Sequence, residues 1–277
     1  MSDDTIITME KVFSPKLEKI FRILTITAAL LVAGELVWFF LISPCMPLSS
    51  VEIKGVFEID RNTILAQAGI DERSSFMSVN PRTMEKVLGA LPQIETARVV
   101  KNFPSQVEIT VTGRTALVSS LARINGRQAL VIIDRYGVVF KIVNPGDAAA
   151  MLPLISGLNF DNVVLGSKLQ AESLCSFLSR FSLIRDSAPE LFAAISELRI
   201  NRKVFQEGAG RSFETFDLTL YLSHKPVKIL AGADLNEETL RYILLTADVL
   251  MAREPRLDEI DFRAGIASYT LKEASSG

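Results

Sequence analysis

The residues that most often carry chemistry are few in this chain and badly placed for it. General acid-base work most often recruits histidine, and the one histidine, His224, sits beside Lys225 and Pro226 between two expected strands, where it reads as a surface-loop residue. Ser179 lies next to Arg180, yet no histidine or acid stands at a spacing that would assign a triad. Gly208 and Gly210 in "EGAGR" do not follow the strand-to-helix pattern of a phosphate loop and read as a hairpin tip. Cys45 and Cys175 are far apart and in no close-spaced metal or redox pair. Asp and Glu are scattered, and their separation in space is not legible in a sequence, so paired carboxylates for glycan cleavage stay an open alternative. The expectation is a non-enzyme: no catalytic, cofactor-binding or metal residues, no cofactor and no small-molecule substrate.

The chain has 277 residues and a formal net charge of −2, with acids and bases interspersed. That length holds two modest domains without disulfide or metal staples. The charge balance gives no footprint for a phosphate backbone, so nucleic acid is not expected as a partner.

Ile23 to Ile42, "ILTITAALLVAGELVWFFLI", is a run of twenty residues with a single charge. That length crosses about 30 Å of hydrocarbon as a helix. A cleaved signal would have a shorter apolar core and small residues before the cut, whereas this run exits through Trp38, Phe39 and Phe40. A lipoprotein reading centred on Cys45 puts Pro44 where a small residue belongs. The run therefore reads as a retained transmembrane helix. Lys16, Lys19 and Arg22 precede it and the next basic residue is Lys54, which predicts a cytoplasmic amino terminus and an exported remainder from about Ser43. Glu35 is the acid inside the span, where an ionisable group costs about 2.5–3.5 kcal/mol near the centre. Either it is neutral and tolerated, or it marks a helix-helix contact.

Beyond the span, "SSVEIKG" alternates as a strand ending in Gly55. Asp60 and Gly69 bracket a short helix, with Ile59 placed to staple to Ile64. A second helix starts with Pro81 after Asn80, carries Met84, Val87, Leu88 and Leu91 at helical spacing, and is expected to end at Pro92. "TARVV" and "QVEITVTGR" then read as a hairpin turning at Asn102 to Ser105, with Val107, Ile109 and Val111 on one face. Two amphipathic helices can cover one face of such a three-stranded sheet.

This order of elements, with "LPQIETARVVKNFPSQVEITV" at its centre, resembles the POTRA domain of the bacterial cell-division family FtsQ/DivIB. Lys101, Phe103, Pro104 and the strand Val107, Ile109, Val111 match the family's basic residue, aromatic-proline bend and following strand. Gly113 stands where the family often has Glu. The later chain is similar too: "QALVIIDRYGVVFKI" with a turn at Asp134 to Gly137, "LPLISGL" at Leu152 to Leu158, a helix with Leu174, Phe177, Leu178 and Phe181 on one stripe, and strands "ISELRI", "TFDLTLYL" and "PVKILAG". A late helix runs from the cap Asn236 to Pro255, through Leu240, Ile243, Leu244, Ala247 and Met251. "LDEIDFRAGIASYTLK" resembles the family's final strand pair, with Asp261, Phe262 and Arg263 as its signature and Ala264 where an aromatic is frequent.

The resulting expectation is an α+β chain: tail 1–22, transmembrane helix 23–42, linker 43–50, POTRA-type βααββ domain 51–114, and a larger β-rich domain with flanking helices over 115–277. The resemblance implies a single-pass inner-membrane scaffold of the divisome at the septum, linking early septal-ring proteins to the FtsB-FtsL pair and septal peptidoglycan synthesis. It implies docking by the terminal strand through Arg263, Ile266, Ser268 and Tyr269, and a recruiting contact at Val99 and Lys101. The alternative class is a POTRA-bearing export or outer-membrane assembly factor, which usually appends a membrane barrel; no such set of strands is evident after Arg114.

Overall fold

The computed structural model describes residues 15–124, 126–143, 152–158, 160, 163–207, 211–223 and 225–272. His224 and the glycines of "EGAGR" lie outside them. The chain divides into two compact units: Met1–Lys54, Asp60–Val87 and Ala97–Thr110 in one, and Gly55–Ile59, Leu88–Thr96 and Val111–Gly277 in the other.

Helix α1 (Pro15–Val37) continues through a π-helical turn, Trp38–Ile42, and a 3-10 turn, Ser43–Cys45. The run from Glu18 to Cys45, 28 residues, is long and apolar enough to cross a membrane, and its most apolar window is not buried against protein. It is longer than the twenty residues expected, because no helix breaker intervenes until Pro44, which the last turn accepts near its start. The segment 43–50, expected as a linker, is tied down. Met77 N–H donates to Pro44 O, Leu48 N–H to Ser74 O and Ser49 N–H to Ser105 O, at 3.3, 2.9 and 2.9 Å.

The three-stranded sheet has the order β1-β3-β2, from β1 (Ser50–Val56), β2 (Ile94–Asn102) and β3 (Gln106–Gly113). Between β1 and β2 lie α2 (Arg61–Ala68) and α3 (Pro81–Gly89), completing the expected βααββ order. Asp60 caps α2 by accepting from Asn62 N–H at 3.0 Å, and Gly69 closes it in the left-handed region, φ 70°. Helix α3 stops at Gly89, short of Pro92, and Val87 is left exposed on it while Met84 and Leu88 are buried. Strand β1 runs one residue past Gly55. That glycine has φ 118°, and a Cβ on it would stand 1.8 Å from Val111 O, so only glycine fits. Val107, Ile109 and Val111 are buried as the alternation predicts.

Among the described residues, the second sheet has nine strands in the order β12-β11-β10-β9-β8-β7-β4-β5-β6. In chain order these are β4 (Val118–Ile124), β5 (Arg127–Ile133), β6 (Val139–Val143), β7 (Leu154–Ser156), β8 (Ile195–Glu207), β9 (Arg211–Leu222), β10 (Lys225–Gly232), β11 (Leu257–Asp261) and β12 (Ser268–Leu271). Helices α4 (Glu172–Ser187), α5 (Pro189–Ala193) and α6 (Glu237–Arg253) supply its apolar cover. Leu174, Phe177, Leu178 and Phe181 of α4 share one core with Phe216, Leu218, Leu220 and Leu222 of β9. Asn236 caps α6, accepting from Thr239 N–H at 2.8 Å, and Leu240, Ile243 and Ala247 are buried in that core.

Candidate interaction surface at the terminal sheet edge

Among the described residues, strand β12 ends the nine-stranded order and pairs antiparallel with β11 alone. All four of its residues are exposed. A strand so placed presents unpaired backbone donors and acceptors along its outer side.

The direction of those groups follows from one hydrogen bond. Lys272 N–H donates to Arg256 O at 2.8 Å, across the pair. With a repeat of two residues, the N–H groups of Thr270 and Ser268 also turn toward β11, and those of Tyr269 and Leu271 turn outward. Side chains divide the same way. Tyr269 stands opposite Ile260, which is fully buried, and Leu271 opposite Leu257, so both carry the core face one strand beyond its cover. They remain 47% and 40% exposed, and Ile266 before them 76%. Main-chain pairing with apolar pockets beside it is the geometry of strand addition.

The turn before β12 is closed by a hydrogen bond. Gly265 N–H donates to Phe262 O at 3.0 Å, with Gly265 at φ 77°. Phe262 meets Tyr242 of α6 edge-on, with centroids 5.8 Å apart. Arg263 is exposed, but its guanidinium is engaged within the chain. Its Nη2 is 2.6 Å and its Nε 2.9 Å from Asp261, and Nη1 is 3.0 Å from Asp217 Oδ2, which also takes Lys203 Nζ at 2.5 Å. These four residues come from three strands and a turn on the polar face. Arg263 holds Asp261 below the usual carboxylate range. For Asp217, burial pulls upward, but Lys203 and Arg263 together win and hold it low. The Arg263 guanidinium is stabilised as the cation by the same two carboxylates.

Arg263, Ile266, Ser268 and Tyr269 are thus brought to one end of the sheet. Sequence reasoning missed Leu271, whose exposed apolar side chain shares the Tyr269 face, and the partners Asp217 and Lys203. The first was legible in the alternation of "SYTLK"; the second required knowing that β10 and β11 run parallel. Val99 and Lys101 lie elsewhere, on β2. Val99 is buried, and its N–H donates to Glu85 Oε1 at 2.8 Å. Lys101 Nζ donates to Val79 O at 3.0 Å and stands 4.2 Å from the centre of the Phe76 ring. Glu35 is exposed along α1.

Among the described residues, a small βααββ sheet with a larger β-rich sheet after it, preceded by one apolar helix, is the arrangement of a POTRA-bearing chain. A family model described as "POTRA domain, FtsQ-type" matches residues 46–114. The chain is 27% identical over 186 residues to the cell division protein FtsQ of Myxococcus fulvus, covering 65% of this chain and 63% of that protein, just under two thirds of its length. It is 24% identical over 215 residues to FtsQ of a Geobacter species, covering 78% and 71%. Over 69 residues, 25% of this chain and 26% of the relative, it is 35% identical to the cell division protein DivIB of Geobacillus kaustophilus. Residues 46–114 thus match an FtsQ-type POTRA domain, and the chain is similar over most of its length to cell division proteins named FtsQ.

Proposed function

We propose that the chain is a single-pass, non-enzymatic scaffold of the bacterial divisome. In this reading α1 crosses the inner membrane with the amino terminus in the cytoplasm, and the sheets lie outside it at the septum. The terminal edge takes a strand of the FtsB-FtsL pair, linking early septal-ring proteins to septal peptidoglycan synthesis. The observation that carries the reading is β12: last in the sheet order, exposed at every residue and, among the described residues, paired on one side only. Its edge offers main-chain pairing, with Tyr269, Leu271 and Ile266 as side-chain contacts. Arg263, already held by two carboxylates, acts by fixing the turn, and a partner's acid would have to compete with Asp261 and Asp217.

Recruitment to the septum is assigned to β2, the other outer strand of the small sheet. There Lys101 and the backbone beside Val99 are the contact, with Glu85 guarding one edge donor. Glu35 faces a polar group in a neighbouring span, which offsets its cost in hydrocarbon.

Depletion in a growing culture tests the whole. Filaments without septa are the expected result, and normal septation with a defect in envelope export would replace the scaffold by an assembly factor. An export-dependent reporter fused after Gly277 should be active; activity of a cytoplasm-only reporter there would overturn the topology.

A further inference from the structure

At the carboxyl end of the long helix the side chains form an aromatic cluster. Phe103, at the hairpin bend, lies 5.0 Å from Phe39 and 5.6 Å from Phe40, centroid to centroid, and Phe76 lies 5.8 Å from Phe103. Phe39 and Phe40 are the last aromatics of the apolar run. The bend is therefore packed on the span itself, not held away from it.

Depth follows from helix geometry. From Ile23 to Phe39 the chain rises about 24 Å at 1.5 Å per residue, against about 30 Å of hydrocarbon. Phe39 lies inside the far boundary of the apolar layer, and a ring in contact with it is at the level where acyl chains meet headgroups.

The composition of the surrounding chain agrees. Residues 43–50, 74–80 and 102–106 surround the end of the span, and these twenty residues carry no charged side chain, in a chain of which 22% is charged. Met77 is 69% exposed, Met46 47% and Phe103 44%, an apolar fringe beside the helix. Behind it the Lys101 ammonium stands over the Phe76 ring and donates to Val79 O, a cation held beside the apolar fringe. Uncharged loops with exposed methionine and phenylalanine are unfavourable in water and favourable at a bilayer boundary.

Resting on the membrane-spanning reading above, we infer that the hairpin bend and the Ser74–Asn80 loop form a collar seated in the lipid interface around the exit of the span, so that the small sheet contacts lipid directly. The occupant of the fringe is the bilayer, with acyl chains against Met77, Met46 and Phe103.

The chain has one tryptophan, Trp38, within the span, which makes a direct test possible. The full chain is reconstituted in phosphatidylethanolamine and phosphatidylglycerol vesicles, with or without a phosphatidylcholine brominated near the headgroup end of its acyl chains. Trp38 reports the span in the native chain; in a Trp38→Phe background, Phe103→Trp and, separately, Met77→Trp report the collar. Met77 is exposed, so that variant does not depend on repacking the cluster. The expected result is loss of indole emission on bromination at positions 38, 103 and 77. Quenching at 38 with none at 77 and 103 overturns the collar and leaves the span standing; quenching at none of the three overturns both.

Discussion

Arg114 follows the last strand of the small sheet and grips the turn between β5 and β6: its Nη1 lies 2.6 Å from Oδ2 of Asp134, a side chain with 1% of its surface exposed. Its Nε donates to Pro92 O at 3.0 Å and its backbone N–H to Gln93 O at 2.8 Å. The other oxygen of Asp134 accepts from Tyr136 N–H and Val138 N–H, at 2.9 and 2.8 Å. The next residue of the same turn, Arg135, meets Glu95 at 2.7 Å.

Removing one partner of so buried a pair leaves an uncompensated charge. Arg114→Ala or Asp134→Ala is expected to lower stability by about 3–5 kcal/mol, read as a shift in the denaturant midpoint. Asp134→Asn keeps an acceptor for the two turn amides and should cost less than Asp134→Ala. Equal losses from both would mean that the charge, not the turn, dominates.

Gly55→Ala meets both a positive φ and the Val111 carbonyl 1.8 Å away. Left-handed strain alone is about 1–3 kcal/mol, and the backbone clash adds to it. A melting temperature unchanged from wild type would show that β1 can shift away from β3 at no cost.

The Asp217, Asp261, Arg263 and Lys203 network gives stability a dependence on acid. Both carboxyls titrate below their ordinary value of 3.8 in the folded protein. A depressed folded pKa means that the unfolded chain binds protons first, so the contribution is complete above that ordinary value and is lost as pH falls through the lower folded values. Unfolding midpoints measured from pH 6 down to about 2 should fall in the acid range. Arg263→Ala should flatten that fall; an identical acid slope would remove the network from the account.

At the terminal edge the outward N–H groups belong to Tyr269 and Leu271. Tyr269→Pro deletes an outward donor and is expected to weaken capture of the FtsB-FtsL pair while the sheet stays folded. Ser268→Pro deletes a donor facing β11, so its effect should appear first as lost stability, about 1 kcal/mol or more. Undiminished capture by a folded Tyr269→Pro protein would rule out main-chain pairing at β12.

The parts legible in the sequence are those set by local pattern. The alternation of Val107, Ile109 and Val111, the caps Asp60 and Asn236, and the stripe of Leu174, Phe177, Leu178 and Phe181 each follow from a period or a side chain within a few residues of the element it defines. Strand β4 escaped because "VSSLARI" places Ser119 and Ser120 in positions that are buried, where the Ser120 hydroxyl donates to Ile155 O at 2.8 Å. That bond comes from a parallel neighbour 35 residues away, and no local rule supplies it. Arg263 is a similar case: its signature is visible in the sequence, but its second acid, Asp217, is 46 residues upstream and arrives only through strand order. Edge exposure of β12 was legible as a terminal strand; the direction of its amides was not, since register fixes it.

The hydrogen bonds that tie residues 43–50 to the Ser74 and Ser105 loops have a consequence for encounter. Eight residues of free chain would let a domain roam over roughly 15 Å of height and turn at will. Held as it is, the small sheet shares the helix's rotation and its level. A partner confined to the same plane then meets a surface whose height and tilt are already set, and the search that remains is lateral drift and one rotation about the helix axis.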